Sequence, residues 1–237
     1  GAHFLPLLDI LVDEPFRMID TRHEGAASHA ADAYARTLRR PGVVLSTTPG
    51  HANALPGLAN AMHSQAPIIN IAGASDSRNL GRGAMQEFDQ VGVAAPITKG
   101  AWQIPSAERI PEFVNLAVRT AMSGKRGPVH LTIPQDLQEA MVDDDVLERY
   151  GIGENTMPLT VAGDPGQIAA AIDILKNSER PMIIAGTGAG ATALPEKLQR
   201  LVETMGVPVT TTDSARGLIS DDHELSIGFG YLPLNKA

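Results

Sequence analysis

The residue types best suited to chemistry gather in the first ninety positions. They are Glu24 in the run Arg22-His23-Glu24-Gly25-Ala26-Ala27-Ser28-His29-Ala30-Ala31-Asp32, His3 near the start, the stretch Thr48-Pro49-Gly50-His51-Ala52-Asn53, and Gln86 in Gln86-Glu87-Phe88-Asp89-Gln90. Glu24 opens a small-residue-rich run that reads as a helix, and the positive end of a helix dipole welcomes a carboxylate. A plain helix cap and a functional acid both fit that position. A carboxyl group held in an apolar pocket has its pKa raised, which suits proton sharing with a partner. His3 carries an imidazole that titrates near neutrality and is able to move a proton, or it is a polar loop histidine. The stretch Thr48–Asn53 reads as a loop between a strand and a helix, the edge at which open α/β sheets place ligands. Gln86 presents an amide to a substrate carbonyl or is plain surface. His23 is read as orienting its turn, His29 as packing, and His51 as either a pocket or a solvated loop residue.

These residues need a scaffold that brings strand ends together. Short β-rich runs, Met18-Ile19-Asp20, Val43-Val44-Leu45-Ser46, Pro67-Ile68-Ile69-Asn70-Ile71 and Val129-His130-Leu131-Thr132-Ile133, alternate with amphipathic segments. Such alternation predicts a parallel sheet, and the nearly continuous apolar character of the strands predicts helices on both faces. The expected fold class is α/β, a doubly wound parallel sheet. From Asp136 to about Pro165 the pattern lapses into an acidic stretch with Asp143-Asp144-Asp145 and Gly151-Ile152-Gly153, which reads as a linker. Beyond it the pattern predicts a helix near Gln167–Lys176, a strand Pro181–Ala185, a glycine-rich turn Gly186–Gly190, a helix near Glu196–Met205 and a strand Val207–Thr211. The expected division is a first domain over residues 1–140, a linker over 141–163 and a Rossmann-like α/β domain over 164–237. Two clear strands are few for a stable sheet, so the second domain reads as incomplete. A start at Gly1-Ala2-His3 without methionine reads as a missing beginning.

Composition narrows the partners. The 237 residues are 43% hydrophobic with a formal net charge of −8, and the basic residues are scattered, which speaks against a nucleic-acid or anionic-membrane footprint. The absence of cysteine excludes disulfides, thiolate metal sites and a cysteine nucleophile. No apolar run has the length of a membrane span and no signal peptide is legible, so the expected location is the cytoplasm and the expected partner a small-molecule substrate.

The run from Arg22 to Arg36 resembles the pyrimidine-binding signature of thiamine-diphosphate enzymes. Pro41-Gly42-Val43, Thr48-Pro49-Gly50 with Asn53, the Gln86–Gln90 loop, Thr98-Lys99, and Gly127-Pro128-Val129 through Pro134-Gln135-Asp136 agree with it in order and spacing. Within that family the chain looks most like benzaldehyde lyase, through Gly1-Ala2-His3, Ile19–Glu24 and Ala94–Lys99. It is also similar to acetolactate synthase and to the group of 2-hydroxyacyl-CoA lyase and oxalyl-CoA decarboxylase, the last through Gly73–Asn79 and Gln86-Glu87-Phe88. The resemblance implies a pyrimidine-binding domain followed by part of a central domain. It implies that Glu24 shares a proton with the cofactor's pyrimidine nitrogen, favouring the imino tautomer, while the cofactor does the hard chemistry. It implies that Pro49 and Asn53 lie against the pyrimidine, and that His3 matches an active-site histidine acting on a substrate hydroxyl. The family usually has glycine at Thr48 and a small residue at His51, so these two departures are expected to reshape the substrate side of the pocket.

The resemblance also implies what lies elsewhere. Gly163-Asp164-Pro165-Gly166 superficially matches the magnesium and diphosphate motif, but the proline and the helical pattern after it make Asp164 a helix cap. The Mg2+ ligands are therefore expected in a C-terminal domain outside this sequence, with active sites shared across a homodimer or homotetramer and little activity from these residues alone. Gly186-Thr187-Gly188-Ala189-Gly190-Ala191 fits a loose dinucleotide fingerprint. The family's central domain holds FAD in acetolactate synthases, ADP or CoA in the acyl-CoA group, and no nucleotide in benzaldehyde lyase, so a bound nucleotide and a vestigial loop both remain open. The expected function is carbon–carbon lyase or carboligase chemistry on 2-hydroxy ketones or 2-keto acids. The alternatives are 2-hydroxyacyl-CoA cleavage or oxalyl-CoA decarboxylation and, from another class, a nucleotide-binding regulatory module.

Overall fold

The computed structural model describes residues 1–150, 162–192 and 195–230, which form two compact units, 1–158 and 159–237. Most of the expected linker, with Gly151-Ile152-Gly153, lies outside the described residues. In the first unit a short helix α1 (Leu5–Leu11) precedes α2 (Glu24–Leu38), β1 (Gly42–Ser46), α3 (Thr48–Ser64), β2 (Ile68–Ala74), α4 (Gln90–Ala94), β3 (Ala101–Gln103), α5 (Ile110–Met122), β4 (Val129–Pro134), α6 (Gln135–Gln138) and α7 (Val146–Arg149). The four strands run parallel in the order β1-β2-β4-β3. The parallel α/β architecture expected from the alternation is present.

The strand side chains show why both faces are covered. Ile68 packs with Val44, Leu58, Ala31 and Ala35 under α2 and α3, whereas its neighbour Ile69 packs with Val129, Leu131, Ala117 and Ala121 under α5. The period of two puts Asn70, His130 and Thr132 on the same face as Ile68, beneath α3. Alanines make α2 a good helix former and let α3 approach closely. Buried Asp32 fastens the pair, accepting from Asn60 Nδ2 (3.0 Å), Ser64 Oγ (2.9 Å) and Arg36 Nη2 (3.0 Å). A side chain at Gly57 of α3 would come within 2.6 Å of Ser28 Cβ on α2. Gly57→Val is therefore expected to destabilise the fold by about 2 kcal/mol through overpacking, read as a lower urea-unfolding midpoint.

Met18-Ile19-Asp20, expected as a strand, forms no strand in the structure. Met18 and Ile19 are 51% and 73% exposed, and no described strand lies beside them to satisfy their backbone groups. The expected loop at Thr48–Asn53 is instead the opening of α3. Thr48 is its first residue and Pro49 sits in the first turn, where its missing N–H is no loss. His29, expected to pack, is exposed on α2.

The second unit contains α8 (Pro165–Lys176), β5 (Ile183–Ala185), α9 (Thr187–Thr192), α10 (Pro195–Met205), β6 (Val209–Thr211) and β7 (Ser226–Phe229), with a parallel sheet in the order β5-β6-β7. Asp164 caps α8, accepting from Gln167 N at 2.9 Å. Two corrections arise. The sheet has a third strand, β7, which Gly228 interrupts and which therefore lacks a clean apolar run. The glycine-rich segment expected as a turn continues into the six-residue helix α9, whose Ala189 packs on the cluster of Ala185, Val202, Val209 and Ile219.

Candidate active site

The first turn of α3 organises the candidate residues. On one side lies Glu24, the first residue of α2, introduced by His23, whose Nδ1 accepts from Gly25 N at 3.0 Å. Asn53 Nδ2, one turn into α3, donates to Glu24 Oε2 at 3.1 Å. A Cβ at Gly50 would stand 2.5 Å from Glu24 Oε1, so glycine leaves the space in which this carboxylate sits. The half-buried carboxyl is held below its ordinary range, first by its own backbone amide and then by the Asn53 amide. That reverses the expectation of a raised pKa. Burial does push upward here, but it is outweighed by N–H donors at a helix N-terminus. Pro49 is exposed beside them.

On the other side lies His3, buried at 3% exposure, with Nδ1 3.1 Å from Thr48 Oγ1. Burial is the first cause lowering its pKa, so the ring is neutral at pH 7. Residues Thr48, Gly50 and Asn53 thus join His3 and Glu24 to one helix end. Gln86 is placed differently. It is exposed, with φ of +60°, in a loop whose Glu87 carboxylate accepts from Gly81 N and from Ala84 N at 3.0 Å. Among the described residues no hydrogen bond joins Gln86 to Glu24 or His3. Within the other matching segments, Lys99 Nζ donates to Ser123 O (2.6 Å) and to Thr120 O, and Asp136 accepts from Ser77 N (2.8 Å).

Beneath α3 the sheet buries a polar cluster. His51, expected as a pocket or loop residue, is fully buried, and its ring stacks on His130 at 4.1 Å between centroids. Asn70 Nδ2 bonds both His51 Nδ1 (2.9 Å) and His130 Nδ1 (2.8 Å). His130 Nε2 meets Thr132 Oγ1 (2.8 Å), which donates to Gln90 Oε1 (3.0 Å). Gln90 Nε2 donates to Thr48 Oγ1 (3.0 Å) and to Gly73 O (3.1 Å). An open cleft beside Gln90 and Thr132 is lined also by Leu80, Phe88 and Gln103. Burial, followed by repulsion from His51, drives His130 down to about 3, and burial lowers His51 also. Asn70, His130 and Thr132 escaped the sequence reading, although polar residues alternating inside apolar strands are a legible sign of one polar strip on a buried face, and Gln90 was read only as the end of the Gln86–Gln90 segment.

Residues 1–93 match the family described as thiamine pyrophosphate enzyme, N-terminal TPP binding domain, and residues 168–237 match the thiamine pyrophosphate enzyme central domain. The chain belongs to the thiamine pyrophosphate enzyme family. Relatives agree with that membership. A probable acetolactate synthase large subunit of Methanocaldococcus jannaschii is 39% identical over 96% of this chain and 39% of its own length. A 2-hydroxyacyl-CoA lyase of Arabidopsis thaliana is 31% identical over 89% of this chain and 37% of its own. An oxalyl-CoA decarboxylase of Escherichia coli is 33% identical over 90% of this chain and 38% of its own. The chain thus spans about two fifths of the length of these relatives.

The family's cofactor is thiamine diphosphate, used with Mg2+. The residues around Glu24 fit its pyrimidine end: Asn53 occupies one carboxylate oxygen, while the other lies against Gly50, which has no side chain to fill that space. For Mg2+, the described residues contain no group of three His, Asp or Glu side chains placed to hold an ion. No described helix is long and apolar enough to cross a membrane.

Proposed function

We propose that the full-length protein is a thiamine-diphosphate-dependent enzyme that makes or breaks a carbon–carbon bond next to a carbonyl, acting on 2-keto acids or 2-hydroxy ketones in the manner of an acetolactate synthase. The observation that carries this reading is the Glu24 carboxylate at the start of α2, oriented by Asn53 and accommodated by Gly50. When bound, the cofactor supplies a nucleophilic carbon and a sink for the electron pair left by bond cleavage. The chain's own residues do the rest. Glu24 holds or releases a proton at its carboxylate, Asn53 orients it, and Pro49 lines the same helix end. His3 exchanges a proton with a substrate hydroxyl, and Gln86 presents its amide to the substrate carbonyl. The left-handed backbone of Gln86 supports that role, since such strain gathers at functional loops.

The pyrimidine-binding part is taken as residues 1–140, the linker as 141–163 and the central part as 164–237. Mg2+ ligands from a further domain, a homodimer or homotetramer, and a cytoplasmic location complete the proposal. A second reading, cleavage of 2-hydroxyacyl-CoA or decarboxylation of oxalyl-CoA, is favoured by the relatives that carry those names. Assay of the full-length protein with pyruvate and with a 2-hydroxyacyl-CoA, each with thiamine diphosphate and Mg2+, separates them. The proposal expects turnover of the keto acid, and turnover of neither would sink it. Gly50→Ala is expected to displace the Glu24 carboxylate and cut turnover on the order of 10²-fold while the protein stays folded, checked by steady-state kinetics beside circular dichroism.

A further inference from the structure

The buried cluster under α3 has a direction that proton counting fixes. Gln90 O is a carbonyl that only accepts, so His51 Nε2, at 3.2 Å, carries a hydrogen. Neutral His51 then accepts at Nδ1 from the Asn70 amide, whose second hydrogen goes to His130 Nδ1. Neutral His130 therefore carries its hydrogen on Nε2 and donates to Thr132, which donates to Gln90 Oε1. With its oxygen so occupied, Gln90 must turn its NH2 toward Thr48 Oγ1 and Gly73 O. Every link in this chain is a buried side chain, so the orientation of Gln90 is fixed from below.

Thr48 Oγ1 is left between two partners, His3 Nδ1 and Gly73 O, each at 3.1 Å. It has one hydrogen and two lone pairs. We infer that Thr48 and Gln90 form a two-way hydrogen-bond partner for His3, in which Thr48 turns its hydroxyl between His3 Nδ1 and the Gly73 carbonyl as Nδ1 gains or loses its hydrogen. When neutral His3 accepts at Nδ1, Thr48 donates to it, and Gln90 keeps Gly73 O satisfied. Proton uptake at Nε2 starts from the neutral tautomer that carries its hydrogen on Nδ1; in that tautomer and in the imidazolium alike, Thr48 accepts from Nδ1 and donates to Gly73 O. Gln90 donates to Thr48 in both states, and no buried group is left without a partner in either. Burial opposes the charged form of His3, and Thr48 is the neutral acceptor that receives its Nδ1 hydrogen. Thr48 and Gln90 are thus positioning residues, and the inference rests on the proposed role of His3 in proton exchange.

The test is NMR titration of His3 in the full-length protein labelled with 15N-histidine, in wild type, Thr48→Val, Thr48→Ser and Gln90→Met. Thr48→Val is expected to lower the His3 midpoint by about one pH unit, because a hydrogen bond to a charged group is lost, and Thr48→Ser is expected to restore it. Gln90→Met, which leaves Gly73 O dependent on Thr48, is expected to hold neutral His3 with its hydrogen on Nδ1. An unchanged midpoint in Thr48→Val together with an unchanged tautomer in Gln90→Met overturns the inference. His3→Ala separates this from the functional reading: full turnover without the imidazole removes His3 from catalysis, whatever the titration shows. If turnover requires His3 but its titration ignores Thr48 and Gln90, only the inference fails.

Discussion

Glu24→Gln is expected to leave the fold intact and to lower turnover of the full-length enzyme by about 10²- to 10⁴-fold, the range associated with loss of a positioned acid–base group. The amide matches the carboxylate in shape, and its oxygen still accepts from Asn53 Nδ2. It no longer gains and loses a proton. The effect should therefore fall on kcat more than on stability. In the wild type, Asn53 and the backbone amide at the start of α2 hold the Glu24 carboxyl below its usual range. Asn53→Ala is accordingly expected to move the acidic limb of the pH–rate profile toward higher pH, because the ionised form loses a donor.

The second large effect is acid lability of the first unit. His130 is buried neutral with its pKa held at about 3, and burial lowers His51 and His3 in the same direction. In the unfolded chain a histidine titrates near ~6.5, so below that pH the unfolded state binds more protons than the folded one. Stability is fully present above ~6.5 and is lost as pH falls toward 3, at about 1.4 kcal/mol per pH unit for His130 alone. Urea midpoints followed through Trp102, the single tryptophan of the chain, should fall steadily between pH 6.5 and 5. His130→Leu should make that slope shallower by about one proton. A midpoint independent of pH in this range contradicts neutral burial of these rings.

Several features of this protein were readable because local chemistry and tertiary packing agree. The strands Val43–Ser46, Ile68–Ile71 and Val129–Ile133 announce themselves by apolar, β-branched runs, and α2 by its alanines. Glu24 was visible through its place at a helix start, and Asp164 through the proline that follows it. Met18–Asp20 misled because β propensity needs a partner strand, and none of the described strands supplies one. Thr48–Asn53 misled because Pro49 and Gly50, ordinarily loop residues, are well suited to the first turn of a helix packed against Glu24. The direction of the Glu24 shift was misjudged because its own backbone amide at the start of α2 outweighs burial, and Asn53, a donor 29 positions away, adds to it. The network from His51 to His3 joins residues up to Thr132 and becomes apparent only when β2 and β4 lie side by side.

The most direct test of the central claim is calorimetric titration of thiamine diphosphate with Mg2+ into the full-length protein, with wild type and Glu24→Gln assayed for turnover in parallel. The account predicts saturable binding by the wild type at one cofactor per subunit, and a variant that is folded but has lost turnover. Absence of binding by the wild type, or full turnover in Glu24→Gln, contradicts it.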